Sequence, residues 1–330
     1  MIKNLLNRKW TLLLLLTLVV GGSQVQAQQE KMFSQYMFNM LAINPAYAGS
    51  RDVLSATGMY RNQWGGFEGA PKTSTFTLDM PVNKERVGLG IQLFNDQIGL
   101  ENYTGGFVSY AFRIKIGERS TLALGLQGGA ASFQWNLTNV KLGPDGGIPD
   151  PLFSNNVSKI LPNFGTGVYL SNDRGYIGIS VPYLIENNIG TFDSGATRAK
   201  QRRHFYMMSG LVIGKNAIKL KPSLLVKYVT GAPIGLDGNL NLWFNERVAI
   251  GASYRYQQFQ AYAGNNFKSD AIVGMIELQL SDQFRLGYAY DHTMNGLSHD
   301  GKFLTIPTHE VMVRYEFGFS KSKILTPRYF

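Results

Sequence analysis

From Val53 onward the chain keeps a period of two, in segments of about ten residues separated by polar turns, and few folds accept that rhythm over so long a run. In Lys72 to Pro81, Ser74, Phe76, Leu78 and Met80 fall on one face while Thr73, Thr75, Thr77 and Asp79 fall on the other. In Ala217 to Thr230, Ile218, Leu220, Leu224, Val226 and Tyr228 alternate with Lys219, Lys221, Ser223 and Lys227. From Arg247 to Gln257, Val248, Ile250, Ala252, Tyr254 and Tyr256 oppose Arg247, Ser253, Arg255 and Gln257. In Thr308 to Phe319, Val311, Val313, Tyr315, Phe317 and Phe319 stand against Glu310, Met312, Arg314 and Glu316. Alternation alone suits a soluble sandwich as well as a membrane barrel, so strand number and turn length must decide.

The segments with this rhythm are 53–62, 72–81, 86–96, 103–115, 121–135, 162–171, 174–183, 203–214, 217–230, 235–245, 247–257, 270–281, 283–292 and 308–319, an even set of fourteen. Every second connection is tight, around Asn83-Lys84-Glu85, Gly117 to Ser120, Asn172-Asp173, Lys215-Asn216, Asn245-Glu246 and Ser281-Asp282. The others are longer, notably Asn136 to Leu161, Leu184 to Arg202, Gln258 to Ser269 and Thr293 to Pro307. Short turns on one side and long loops on the other are how an outer-membrane barrel divides periplasm from exterior, and a sandwich has no reason to keep that division. The expected fold is therefore all-β, a transmembrane outer-membrane barrel spanning 53–319. No stretch after Val20 could form a transmembrane helix. A mean hydropathy of −0.10 with 37 glycines and 12% aromatics is what averaging a lipid face with a lumen face produces. Tyr254, Tyr256, Tyr288, Tyr290, Tyr315, Phe317 and Phe319 cluster near strand ends, where amphipathic rings favour the membrane interface.

Residues 1–27 read as a cleaved secretory signal: a basic head with Lys3, Arg8 and Lys9, an apolar run from Thr11 to Val20, and Val25-Gln26-Ala27 before Gln28. The run is too short for a spanning helix. Residues 28–52 form an N-terminal periplasmic or plug segment and 320–330 a periplasmic tail. The chain has no cysteine, which excludes thioether lipidation and a disulfide framework. The formal charge of +10 becomes about +7 once the three bases of the signal are removed, and it is spread rather than clustered. No nucleic-acid role is expected of an exported chain without a basic block.

Within 28–52 the period changes: Phe33, Tyr36, Met37, Met40 and Leu41 share one face of a helix, which Asn44-Pro45 stops. Those side chains need a place to bury. Packing against the barrel's own periplasmic mouth or lumen is favoured over docking to another protein, because so short a helix needs tertiary support in any case.

The stretch FSQYMFNMLAINPAYAGSRD resembles the start of the mature chain in the PorP/SprF family of type IX secretion outer-membrane proteins, and so do YRNQWGGFEGAPKTSTFTLDMPV, LKPSLLVKYV and the terminal PRYF. The resemblance implies a non-enzymatic component that holds, or helps export, large cell-surface adhesins through their C-terminal domains, in gliding motility among other settings. Secretion or gliding lipoproteins on the periplasmic side and outer-membrane lipid complete the implied set of partners.

The residues themselves carry no catalytic constellation. His204, His292, His299 and His309 lack HExxH spacing, and no GxSxG serine occurs. His292, His299 and Asp300 share a loop, and Asp145 and Asp150 another, but neither set has metal-ligand order, and ordinary solvated loop residues are the expected reading. The glycines of Val87-Gly88-Leu89-Gly90 relieve crowding or allow bending within a strand. No cofactor and no metal are expected. By parity Arg61, Arg113, Lys115, Lys219, Lys221, Lys227, Arg247, Arg255, Arg285 and Arg314 point inward, with Asp79, Asp237, Glu277, Asp291, Glu310 and Glu316. They either line an anion-selective channel or pair and fill the interior; both readings require a polar lumen. A substrate-specific porin or lipid transporter, and a lipid-modifying barrel enzyme, are the rival classes. For a protein partner the candidate contacts are Trp64 and Phe67 on a long loop, with Phe33, Tyr36, Met37 and Met40 of the N-terminal segment.

Overall fold

The computed structural model describes residues 32–139, 155–189, 200–214, 217–230, 232–260, 266–294, 297–299, 302–304 and 307–318. Thirteen strands follow one another as β1 (Leu54–Asn62), β2 (Lys72–Val82), β3 (Val87–Ile98), β4 (Glu101–Ile116), β5 (Ser120–Trp135), β6 (Val157–Ser171), β7 (Gly175–Val181), β8 (His204–Leu211), β9 (Ile218–Val229), β10 (Gly235–Phe244), β11 (Val248–Gln260), β12 (Asn266–Gln279) and β13 (Phe284–Thr293). A small hairpin, β14 (Leu297–His299) with β15 (Lys302–Leu304), interrupts the series before β16 (Thr308–Phe317). Leaving the hairpin aside, each strand pairs antiparallel with its neighbours in sequence, and β16 returns to β1 to close a fourteen-strand barrel. The closing register runs from Leu54 opposite Phe317 to Asn62 opposite His309. Closure gives every wall strand a partner on each side, the condition for placing a sheet in hydrocarbon, although the short β7 pairs with β6 only from Thr166 to Ser171. No helix among the described residues is long and apolar enough to cross a membrane.

The two-residue rhythm sorts side chains as the lipid requires. Phe76, Leu93, Val108, Leu126, Ile250 and Val311 are exposed on the outside, while Thr73, Thr75, Thr77, Gln92, Ser109 and Gln127 are buried inside. Tyr254, Tyr288, Tyr290, Tyr315 and Phe317 are exposed with the outer set, and Phe319 lies outside the described residues. Each of the fourteen expected segments overlaps one wall strand. The larger differences are at β6, which begins at 157 rather than 162, and at β11 and β12, whose pairing continues to Gln260 opposite Asn266. That continuation reduces the expected 258–269 loop to 261–265. The alternation of short and long connections is also not strict. Gln97 still pairs with Asn102 and Ile98 with Glu101, so β3 reaches β4 through Gly99 and Leu100 alone, with Gly99 in the left-handed region at φ 56°.

The N-terminal segment lies inside the barrel, buried without a break from Phe33 to Gly49. It is not the expected amphipathic helix but three short 3₁₀ turns, Tyr36–Phe38, Met40–Ala42 and Pro45–Tyr47. One apolar face would have suited a helix lying on a surface; here wall surrounds the segment, and wall side chains take backbone groups that a helix would have used internally. The Arg314 guanidinium donates to the carbonyl of Phe38 and the Ser180 hydroxyl to that of Ile43 at 2.8 Å. Phe33, Tyr36, Met37, Phe38, Met40 and Leu41 share a core with wall residues that include Met59, Tyr169, Tyr206, Met208, Leu225, Val273 and Met312.

Inward glycines make the room. A Cβ on Gly88 would lie 1.9 Å from the Ala48 oxygen, on Gly125 2.1 Å from the Ala46 nitrogen, on Gly167 2.1 Å from Asn44 Oδ1 and on Gly287 2.3 Å from Gln35 Oε1. A strand interior gains nothing from glycine unless something approaches closely, and here the segment does. Gly125→Ala is expected to lower unfolding stability by about 1–3 kcal/mol through overpacking. Gly58→Ala and Gly274→Ala, whose added carbon meets nothing within 4 Å, should change it by less than about 0.5 kcal/mol. Heat-modifiable electrophoretic mobility and urea unfolding in detergent read the difference.

Candidate functional site

The firmest hold on the segment is a charged collar around Ser34. The Glu310 carboxylate accepts the backbone N–H of Ser34 at Oε2 and that of Gln35 at Oε1, both at 2.8 Å. The Ser34 hydroxyl donates to Asp291 at 2.7 Å and accepts from Arg61 Nη1 at 2.6 Å and Arg255 Nη2 at 3.2 Å. Arg61 spans both acids, 2.8 Å from Asp291 and 3.2 Å from Glu310. Arg255 lies 3.2 Å from Asp291 and 2.7 Å from Asp237, which also meets the Lys227 ammonium at 2.5 Å. Three bases thus face three acids, all on wall strands, and the segment's hydroxyl and amides supply what the ions lack among themselves. Unpaired charges this deep would cost several kcal/mol each, so the collar and its occupant stabilise one another.

Further along the segment the contacts become single bonds. Tyr36 donates to the Ser223 hydroxyl at 3.1 Å. Thr77 donates to Asn39 Oδ1 at 3.2 Å, and Asn44 donates to the Val168 carbonyl at 3.1 Å. Tyr47 sets its ring edge-on to Tyr169, centroids 5.5 Å apart. At the short-turn end Asp79 accepts the Gly49 amide at 2.9 Å, Arg51 pairs with Glu316, and Arg113 reaches Asp52 at 2.6 Å.

The remaining lumen charges form a second group. Glu277 is buried with Arg285 at 4.0 Å, and Arg285 and Lys221 both sit over the Trp243 ring, 4.9 and 5.1 Å from its centroid. Lys219 pairs with Glu246. Two bases assigned to the lumen by parity belong elsewhere. Lys115 stands at the short-turn rim, 70% exposed and 3.5 Å from Glu85, and Arg247 is exposed in the turn before β11. Parity gives the side of the wall, but only position along the strand tells whether the side chain still has a wall beside it.

On the loop side the lumen closes with aromatics. Phe94, Phe107 and Tyr183 pack together, with Phe107 and Tyr183 centroids 5.3 Å apart, and Tyr103 and Phe133 extend the stack. Tyr183 belongs to the connection after β7, which bends inward: Gln127 donates to the Pro182 carbonyl at 2.8 Å and Gln201 to the Tyr103 hydroxyl at 3.0 Å.

The loop between β1 and β2 carries Trp64 and Phe67. Trp64 is half-buried with φ 55°, and its amide donates to the Thr308 hydroxyl at 3.2 Å. Gly65 donates to the Pro307 carbonyl at 3.0 Å and Gln63 to the Pro71 carbonyl at 2.9 Å, which pins both ends of the loop. Phe67 is 54% exposed at its tip. The contrast with Phe33, Tyr36, Met37 and Met40 is plain: those four are buried within the lumen and present no free surface. His292 is exposed; Asp145, Asp150, Asp300 and the side chain of His299 lie outside the described residues, among which no cluster of three potential metal ligands occurs.

The family model described as "Type IX secretion system membrane protein PorP/SprF" matches residues 25–315. Solved barrels are similar at the level of fold. The KdgM porin aligns over 80% of this chain and 99% of its own at 9% identity with a TM-score of 0.38. The CymD monoaromatic hydrocarbon channel aligns over 88% and 94% at 10% identity with 0.46, and Omp33 of Acinetobacter baumannii over 80% and 96% at 7% with 0.39. No curated protein sequence matches.

Removing one member of the collar tests its role. Glu310→Ala leaves Arg61 short of a counter-ion and two segment amides without an acceptor, and should lower unfolding stability by about 3–5 kcal/mol. Glu118→Ala, in an exposed turn, should change it by less than about 0.5 kcal/mol. Urea titration of the barrel in lipid vesicles compares them.

Proposed function

The chain belongs to the PorP/SprF family of type IX secretion system membrane proteins, and on that premise we propose that it is a non-enzymatic outer-membrane receptor for the C-terminal domain of a secreted cell-surface adhesin. In this reading it supports the adhesin's export or attachment, in gliding motility where the adhesin serves it, and secretion or gliding lipoproteins contact its short-turn side. An N-terminal signal removed before Gln28 delivers it to the outer membrane.

The observation that supports this reading is the filled lumen. A porin needs a continuous watered path, and the interior of this barrel holds Phe33 to Gly49, a paired ionic collar and an aromatic layer beneath the inturned loop. With the interior occupied, the surfaces left for work are the two rims. On the loop rim, the Gln63–Pro71 loop is held by hydrogen bonds at both ends and offers an exposed aromatic at its tip, a preorganised anchor of the kind that concentrates interface energy.

Extraction in mild detergent followed by mass spectrometry of the co-purifying proteins should return a large secreted adhesin. Phe67→Ala should weaken capture of its C-terminal domain by about tenfold or more, equivalent to about 1.4 kcal/mol. Unchanged capture by both Trp64→Ala and Phe67→Ala counts against this loop. In planar bilayers the barrel should be electrically silent; a steady anion-selective conductance would favour the porin reading instead.

A further inference from the structure

Three exposed apolar side chains at the loop rim are not accounted for by lipid. Phe67 stands at the tip of the Gln63–Pro71 loop, Ile98 ends β3, and Leu100 lies in the two-residue turn from β3 to β4. Ile98 keeps the parity of Gln92 and Phe94, which are buried on the lumen side, so its exposure is not that of the outer wall. Hydrogen bonds join the three into one surface. The Gly99 amide donates to the Gly69 carbonyl at 2.8 Å, and the Asn136 amide, just after β5, donates to the Leu100 carbonyl at 3.0 Å. Gly69 and Gly99 are both left-handed, at φ 78° and 56°, and a Cβ on Gly69 would lie 3.2 Å from the Gly99 Cα. The two turns therefore meet backbone to backbone, as only glycines allow. Phe67, Ile98 and Leu100 are each within two residues of that bond, and the loop is tied again at Gln63 to Pro71 and at Gly65 to Pro307.

The charges on this surface run against those of the chain. The protein is basic overall, yet across 62–71, 95–103 and 134–137 the charged residues are Glu68, Asp96 and Glu101, with no lysine or arginine among them. Glu68 is exposed beside Phe67, while Asp96 and Glu101 flank the β3–β4 turn half-buried. We infer that Phe67, Ile98 and Leu100 form a single interface patch, and that the partner protein's matching face is apolar at its centre and rimmed by lysine or arginine. This rests on the receptor reading and adds to it the β3–β4 turn and the chemistry of the partner's face. A second copy of the chain fits poorly, because a two-fold contact would set these acids against themselves, and an anionic lipid surface would repel them. The hydrogen-bonded turns hold the three side chains in place before binding, so little ordering remains to oppose it.

The test measures binding of the folded full-length barrel in detergent to the purified C-terminal domain of the adhesin recovered with it. Leu100→Ser, which alters an exposed turn and should keep the heat-modifiable band, is expected to raise Kd about tenfold. Glu68→Lys is expected to raise it about threefold at low salt, a difference that disappears at about 1 M salt, where charges are screened within about 3 Å. Binding by the wild type that Leu100→Ser leaves unchanged would overturn the patch while the receptor reading stands, and tighter binding by Glu68→Lys would overturn the basic rim. No binding by the wild type would sink the receptor reading and this inference together. A wild type that sediments as a dimer, with Leu100→Ser a monomer that still binds the domain normally, would assign the patch to a second copy and overturn the inference. Ile98→Thr, which keeps a β-branched residue at the end of β3, repeats the measurement should Leu100→Ser assemble poorly.

Discussion

A closed wall of fourteen strands satisfies its own backbone in lipid but encloses more space than an eight-strand barrel, whose side chains alone fill the interior. The segment Phe33–Gly49 meets that excess, and Glu310 shows how. One carboxylate receives two successive amides of the segment and the guanidinium of Arg61, so wall charge and occupant backbone complete each other. Neither half is stable alone. Without the segment, Asp291, Arg61 and Arg255 lose the hydroxyl that knits them together; without the collar, buried amides lack acceptors. The N-terminal segment is thus part of the barrel's core.

This dependence also explains what could be read from the amino acids in order and what could not. Each wall strand announces itself locally, because lipid outside and polar groups inside impose the same alternation on every one. Strand ends are less legible: β11 and β12 run on because they pair with each other past the expected turn, a property of the pair and not of either. The helical spacing of Phe33, Tyr36, Met37, Met40 and Leu41 pointed to one buried face, whereas the segment is buried all round and its backbone is bonded by Arg314, Ser180 and Glu310. Two signals stood against a simple helix. Gln35, Asn39 and Asn44 supply polar groups where a purely apolar contact has no use for them. Gly88, Gly125, Gly167 and Gly287 occupy inward strand positions where only a close neighbour makes a missing side chain useful. The charges sorted by side but not by height, which is why Lys115 and Arg247 stand outside the lumen that holds Arg61, Arg255 and Arg314.

A filled barrel in a secretion system has its rims to work with, and the two differ in build. The short-turn rim carries exposed charges such as Lys115, with the core tied beneath it by Arg51, Asp79 and Arg113. The loop rim has an inturned connection anchored by Tyr183 and a fixed aromatic loop, with Trp64 held in the left-handed region and Phe67 exposed. Strain and hydrogen bonds invested in a surface loop are what preorganised binding sites show. The lumen supplies rigidity, and in the proposed receptor the loop rim would supply recognition.

The N-terminal segment is packed in the lumen as firmly as the wall that surrounds it. Hydrogen–deuterium exchange with mass spectrometry on the folded barrel in detergent measures this residue range directly. Amides from Phe33 to Ala48 are expected to exchange as slowly as those of β1 and β16, over hours. Complete exchange of that stretch within seconds, while the wall strands stay protected, would contradict it.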